Sequence, residues 1–155
     1  MSSIYTLNHL IVNLNKVLLK NMPIICAYNT MKNYNGTDWH IYKPDLELFK
    51  TNKFDKKLLY QHNTYDLFLI SWCNTKSDWH SHSQYGCILK VLEGSLDEYS
   101  FNYNNSIIGK NTFNKGHIGH KEGYEFHCIV SKNISYSLHL YSPINSNNID
   151  INIKK

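Results

Sequence analysis

Two histidines one residue apart, His80 and His82, stand in the stretch Trp79-His80-Ser81-His82-Ser83-Gln84-Tyr85-Gly86-Cys87, which runs on into Ile88-Leu89-Lys90-Val91-Leu92-Glu93-Gly94. Read as strand, loop and second strand, the first part sends both imidazoles to one face, because successive strand side chains alternate. Two imidazoles reaching one point are half of a transition-metal site. The bland alternative is a pair of surface histidines beside a turn. A third ligand must come from elsewhere in the chain. His127 lies inside Tyr124-Glu125-Phe126-His127-Cys128-Ile129-Val130, a strand-like run where an unpaired imidazole is costly to bury. Its rivals, His117 and His120, sit in a glycine-rich stretch expected to be a loop. Strands hold ligands with less positional spread than loops, which favours His127.

A second constellation follows in Ser135-Tyr136-Ser137-Leu138-His139-Leu140-Tyr141-Ser142-Pro143. Alternation puts Ser137, His139 and Tyr141 on one face and Tyr136, Leu138 and Leu140 on the other. Serine, histidine and tyrosine in line on an inward face form a hydrogen-bond relay in which the imidazole orients the phenol. A solvated polar face is the competing reading, and the apolar opposite face argues against it.

The elements that must position these residues change character along the chain. Leu7, Leu10, Ile11, Leu14, Val17 and Leu18 repeat at helical spacing, with Thr6 or Asn8 as N-cap and Asn21-Met22-Pro23 as the stop. The polar face, Asn13, Asn15, Lys16 and Lys20, carries too little charge for a membrane-surface helix. A weaker helical segment is expected over 24–32, a short one from Thr37, and another helix start at Lys43-Pro44-Asp45. From Leu58 the pattern turns to strands: Asp66–Trp72, then near 79–82, 87–92 and 96–101, and finally 124–130 and 134–141. Glu93-Gly94-Ser95 reads as the tight connection of a hairpin. The fold class expected is mainly β, a small antiparallel barrel with N-terminal helices. It forms one domain over 1–155, with a helical flank at 1–57, a barrel at 58–144 and a fraying tail at 145–155.

Bulk properties narrow the partners. All sixteen basic residues are lysine, and the net charge of +4 is spread without a basic block. A chain without arginine lacks the side chain most used for bidentate contacts to bases and phosphates, so nucleic acid is not expected as a partner. No apolar run is long enough to span a bilayer, and no membrane role is expected. The four cysteines, Cys26, Cys73, Cys87 and Cys128, form no Cys-x-x-Cys pair and follow a polar start. A reducing, cytoplasmic setting and a monomeric chain are the expectation.

His-x-His, four residues, Cys, six residues, Gly resembles the first cupin motif in the form found in cysteine dioxygenase: His80, His82, Cys87 and Gly94 fit it without a gap. Ser137-Leu138-His139-Leu140-Tyr141-Ser142-Pro143 is similar to that family's Ser-Leu-His-Leu-Tyr-Ser-Pro segment throughout. Thr37-Asp38-Trp39 and Tyr60-Gln61-His62-Asn63 fall where the family has a tryptophan-containing helix and a Tyr-x-Arg-Asn segment. The resemblance implies an Fe(II) site of three neutral histidines, His80, His82 and His127, in an enzyme that oxidises L-cysteine or a related small thiol with O2 to the sulfinic acid. It also implies a thioether between Cys87 and Tyr141, with His139 and Ser137 holding the phenol. Tyr60 and His62 fall at its substrate-binding positions.

One departure bears on the substrate. The arginine that pairs with the cysteine carboxylate in the family is His62 here, and an imidazole offers one contact where a guanidinium offers two. Lys76, in the loop before His80, could supply the cation instead. The alternative to an enzyme is a non-catalytic cupin module that binds a metal or ligand. A structural zinc site is disfavoured, because such sites use several closely spaced thiolates.

Overall fold

In a computed structural model, residues 3–20, 22–82, 86–102, 104, 106–123 and 125–141 are described, together with the backbone of 149–150. The helices come first: α1 (Leu7–Val17), α2 (Tyr28–Asn33) and α3 (Leu46–Asn52), with 3-10 turns at Ile24–Ala27 and Asp38–Tyr42. The Thr6 hydroxyl caps α1 by accepting from the His9 amide, and an Asp38 carboxylate oxygen accepts from the Leu7 amide at 2.7 Å. Leu7, Leu10, Leu14 and Leu18 are buried, as their spacing predicts.

Nine strands follow among the described residues: β1 (Phe54–His62), β2 (Tyr65–Lys76), β3 (His80–Ser81), β4 (Cys87–Glu93), β5 (Ser95–Phe101), β6 (Ile107–Asn114), β7 (Ile118–Lys121), β8 (Phe126–Tyr141) and β9 (Ile149–Asp150). Strand structure thus begins at Phe54 rather than at Leu58. The stretch expected to be an asparagine- and glycine-rich loop holds β6 and β7. The two strands expected over 124–141 are one, β8, and Tyr124 itself lies outside the described residues. So does most of the tail from Asn145, apart from β9, which pairs with β3. Among the described residues the antiparallel pairings branch from β8 and do not close into a ring.

β8 is flanked on each edge by an interrupted strand. Along one edge β2 pairs from Asp66 opposite Tyr141 to Lys76 opposite Val130, and β3 continues with His80 opposite His127. Along the other edge β4 places Cys87 opposite Tyr141, and β5 ends with Ser100 opposite His127 and Phe101 opposite Phe126. β4 and β5 are therefore not the hairpin that Glu93-Gly94-Ser95 suggested. They run on along one partner through a bend. At that bend Gly94 has φ +79°, and a Cβ there would lie 2.4 Å from Ser135 Oγ. Turn residues mark a change of direction, and nothing in their types separates a reversal from a bend.

Alternation in the central strands sorts the core into two layers. Leu67, Leu69, Ile88, Leu138, Leu140 and Tyr136 pack under the helices with Leu10, Leu14, Met31 and Trp39. Ile70, Trp72, Leu89, Val91, Leu96 and Ile129 form the second cluster on the opposite face. The expected outward apolar face of β8 is thus the helix-covered core. Lys90, on that same side, donates from a buried ammonium to the carbonyls of Lys32 and Tyr34, tying the end of α2 to β4. No helix among the described residues is long and apolar enough to cross a membrane.

Candidate metal centre

The second face of β8 opens into a cavity of about 300 Å³, whose lining includes Lys56, Trp72, His80, His82, His127, His139 and Tyr141. His127 and His80 are direct cross-strand partners, which puts their side chains on one face within reach of each other. His82 follows at the end of β3. One ligand atom from each of the three lies within 4.8 Å of the others, a group that could hold a metal ion. The loop before β3 sets this up. Ser77 bonds to Ile129 through both its amide and its hydroxyl where the β2 ladder ends, and the Asp78 carbonyl lies 2.8 Å from His80 Nδ1.

The outer nitrogens of two rings are already engaged. His80 Nδ1 meets the Asp78 carbonyl, and His127 Nδ1 lies 2.7 Å from Glu98 Oε1. Both partners accept only, so each Nδ1 carries a proton, and in the neutral form of each ring Nε2 is the atom with the lone pair. His82 Nε2 and His127 Nε2 sit 2.8 Å apart, and His82 Nδ1 is buried with no protein partner. Burial above all, then His127, His80 and His139, pushes the His82 imidazole down to about 2, so it is neutral. Neutral imidazoles with lone pairs directed at one point fit a divalent transition metal. Glu98 approaches from the far side of His127 and is not part of the converging group.

Beside the three rings runs the relay expected from the sequence. The Trp72 indole N–H donates to Ser137 Oγ at 2.9 Å, Ser137 Oγ lies 2.9 Å from His139 Nε2, and His139 Nδ1 lies 3.1 Å from the Tyr141 hydroxyl. Burial first, and Lys56 next, hold His139 well below the usual histidine range. Burial, with Cys87 alongside, holds Tyr141 well above the usual tyrosine range. The relay is neutral throughout. Cys87, also buried, is the register partner of Tyr141. Trp72 and Glu98 were missed from sequence: both read as ordinary strand residues, and only their partners across the sheet give them a role.

The structure separates two of the expected site residues from the cavity. Tyr60 and His62 are not among its lining residues. His62 Nδ1 pairs with the Thr64 hydroxyl, which donates to the Leu18 carbonyl, while Tyr60 accepts from Asn15 of α1. The cause is a register shift between Leu58 and Tyr60. Before it, Lys56 faces Ile70 and Leu58 faces Phe68 across the pair. After it, Tyr60 faces Leu67 and His62 faces Tyr65, on the helix side. The cations that do line the cavity are Lys56 and Lys76. His117 and His120 line a separate groove with Tyr28 and Lys32.

A mainly antiparallel β fold under N-terminal helices, with a three-histidine cluster in its cavity, is the architecture of a cupin-type protein. The solved structures it resembles agree. A cupin superfamily protein from Desulfitobacterium hafniense superposes with a TM-score of 0.51 at 13% identity, over 59% of this chain and 78% of that one. A cupin-2 domain protein from Shewanella frigidimarina gives 0.52 at 14%, over 68% and 89%. A double-stranded β-helix protein from Klebsiella pneumoniae gives 0.54 at 11%, over 68% and 86%. Among curated proteins none matches. The family profile of cysteine dioxygenase type I matches residues 2–149, and the chain belongs to that family.

Proposed function

We propose that the protein is an iron-dependent thiol dioxygenase that converts a small anionic thiol, L-cysteine or a close relative, with O2 to the sulfinic acid. Thiol plus O2 accounts for every atom of the product, so no further reductant is needed. The observation that carries the reading is the convergence of His80, His82 and His127 without a carboxylate among them, directly beside the Cys87–Tyr141 pair. Fe(II) held by these three neutral rings would keep its full charge and supply a Lewis-acidic centre at which thiolate and O2 meet.

The chain's own groups then have assignable tasks. Trp72 can only donate, so the Ser137 hydroxyl proton is directed to His139 Nε2. His139 Nδ1–H in turn donates to the Tyr141 oxygen, which leaves the phenol proton free to serve a group in the cavity. Tyr141 stays protonated, a neutral donor beside the reacting sulfur. Cys87, the register partner of Tyr141, forms a thioether to its ring in this reading, with O2 taking up the two hydrogens lost. Lys56 and Lys76, in place of His62, meet the substrate's carboxylate.

The test is anaerobic loading with Fe(II) followed by O2 uptake against cysteine, 3-mercaptopropionate and cysteamine, with sulfinate detected by mass spectrometry. Uptake matched by sulfinate supports the reading. No uptake with any thiol overturns it and leaves a binding module.

A further inference from the structure

Glu98 is a buried carboxylate that a three-histidine site does not call for. It lies on β5, diagonal to His127, since its direct partner on β8 is Ile129 and that of His127 is Ser100. Its residue exposure is 4%, and that of His127 is 1%. Oε1 accepts from His127 Nδ1 at 2.7 Å, and Oε2 lies 3.5 Å from Lys121 Nζ. Lys121 is itself largely buried and donates to Ser100 Oγ at 3.0 Å. Three strands thus contribute to one chain of polar groups, His127 on β8, Glu98 on β5 and Lys121 on β7.

Burying such a pair is rarely the cheapest way to stabilise a fold, because apolar residues of similar volume do as well or better. The arrangement has a different consequence. An ionised carboxylate cannot donate, so it fixes the proton of His127 on Nδ1 and turns the Nε2 lone pair toward His82 Nε2, 2.8 Å away. It also sets the plane of the ring, and it makes the imidazole a stronger donor to a cation.

We infer that Glu98 is the positioning residue for His127 at the metal centre, with Lys121 as the counter-charge that holds its carboxylate in place. The inference rests on the reading of His80, His82 and His127 as metal ligands. It adds a carboxylate that tunes the site without touching the metal, at His127, while the outer nitrogen of His80 meets a backbone carbonyl.

Two measurements test it on the whole metal-free chain. Long-range 1H–15N correlation spectra of histidine-labelled protein report the tautomer of each ring, and His127 is expected as the Nδ1–H form. Titration with Co(II) alone, followed by its visible absorption, is expected to show binding by the wild type. Glu98→Gln, with thermal unfolding unchanged in form, is expected to bind about ten- to a hundredfold more weakly. Lys121→Met is expected to fall between the two. Wild-type His127 in the Nε2–H form would overturn the assignment even if the variants do not fold. Equal Co(II) affinity in the wild type and Glu98→Gln would overturn the role of Glu98 and leave the metal site standing. No Co(II) binding by the wild type would overturn the metal site itself, and this role with it.

Discussion

Lys56 is the residue whose replacement separates an anion clamp from a mere wall of the cavity. Its ammonium lies 4.4 Å from the Phe68 ring centre and 4.8 Å from that of Tyr141, and its charge helps keep His139 and His82 neutral. A carboxylate brought to about 4 Å gains roughly 4 kcal/mol of Coulomb attraction at an effective dielectric of about 20. Desolvating both ions, and loosening ring contacts of about 0.5–1 kcal/mol each, takes back a good part. The remainder falls in the range of about 1.5–3 kcal/mol found for hydrogen bonds to charged groups. That is roughly ten- to a hundredfold in affinity. Lys56→Met keeps the stem and removes the charge, so it should raise KM for cysteine by this factor. It should leave cysteamine, which has the thiol and amine but no carboxylate, unaffected. Initial rates of O2 consumption by the Fe(II)-loaded variants give both values, and Lys76→Met run beside it ranks the two cations. His62→Gln should move neither thiol, since His62 sits with Thr64 at the end of α1. Equal losses on cysteine and cysteamine would refute the clamp, and a cysteine-specific loss in His62→Gln would refute the assignment of His62 to the helix side.

Three further outcomes follow from the same contacts. Ser137→Ala strands the buried Trp72 indole N–H and should lower stability by about 1–3 kcal/mol in urea unfolding; a shift inside experimental error would mean the relay contributes nothing to the fold. Gly94→Ala forces a side chain into φ +79° against Ser135 and should destabilise by about 2–4 kcal/mol, read as a lower thermal midpoint. The Thr112 hydroxyl first, and Lys110 next, hold the Asp97 carboxyl below its ordinary 3.8 despite its desolvation. A carboxyl with a depressed folded pKa stabilises above its unfolded value and stops doing so as pH falls through the folded one. Asp97→Asn should therefore flatten the acid limb of a midpoint-against-pH profile and leave its alkaline limb alone.

What the chain discloses before folding depends on whether periodicity alone decides the matter. The α1 stripe and the alternation of Ser137, His139 and Tyr141 against Leu138 and Leu140 follow from local geometry, and the structure has both. Bringing His127 to His80 and His82 needed one further idea, that a buried imidazole in a strand wants a partner. Tyr60 and His62 lie on the helix side because a single register shift exchanges the faces of a strand, and no residue type in Leu58-Leu59-Tyr60 announces it. The bend at Gly94 failed for a related reason: β4 and β5 find the same partner, a choice made by β8 and not by the turn. β6 and β7 were hidden by asparagine and glycine, which are poor strand formers and pair here because their neighbours supply the ladder.

The same register that presents the site also holds the helices, and this couples stability to chemistry. In β8 the odd-numbered residues His127, Ile129, His139 and Tyr141 line the cavity, while Tyr136, Leu138 and Leu140 are buried among Leu10, Leu14 and Trp39. A slip by one residue would move the relay under the helices and put two leucines and a tyrosine against the histidine cluster. Burying those apolar groups stabilises each by roughly 1.5–3 kcal/mol, so the slipped pairing is excluded by the core and not by the site. The histidines need contribute nothing to the fold in order to be brought together. That leaves the inner face free to carry groups that are poor at packing, among them the unpartnered His82 nitrogen and the ionised Glu98.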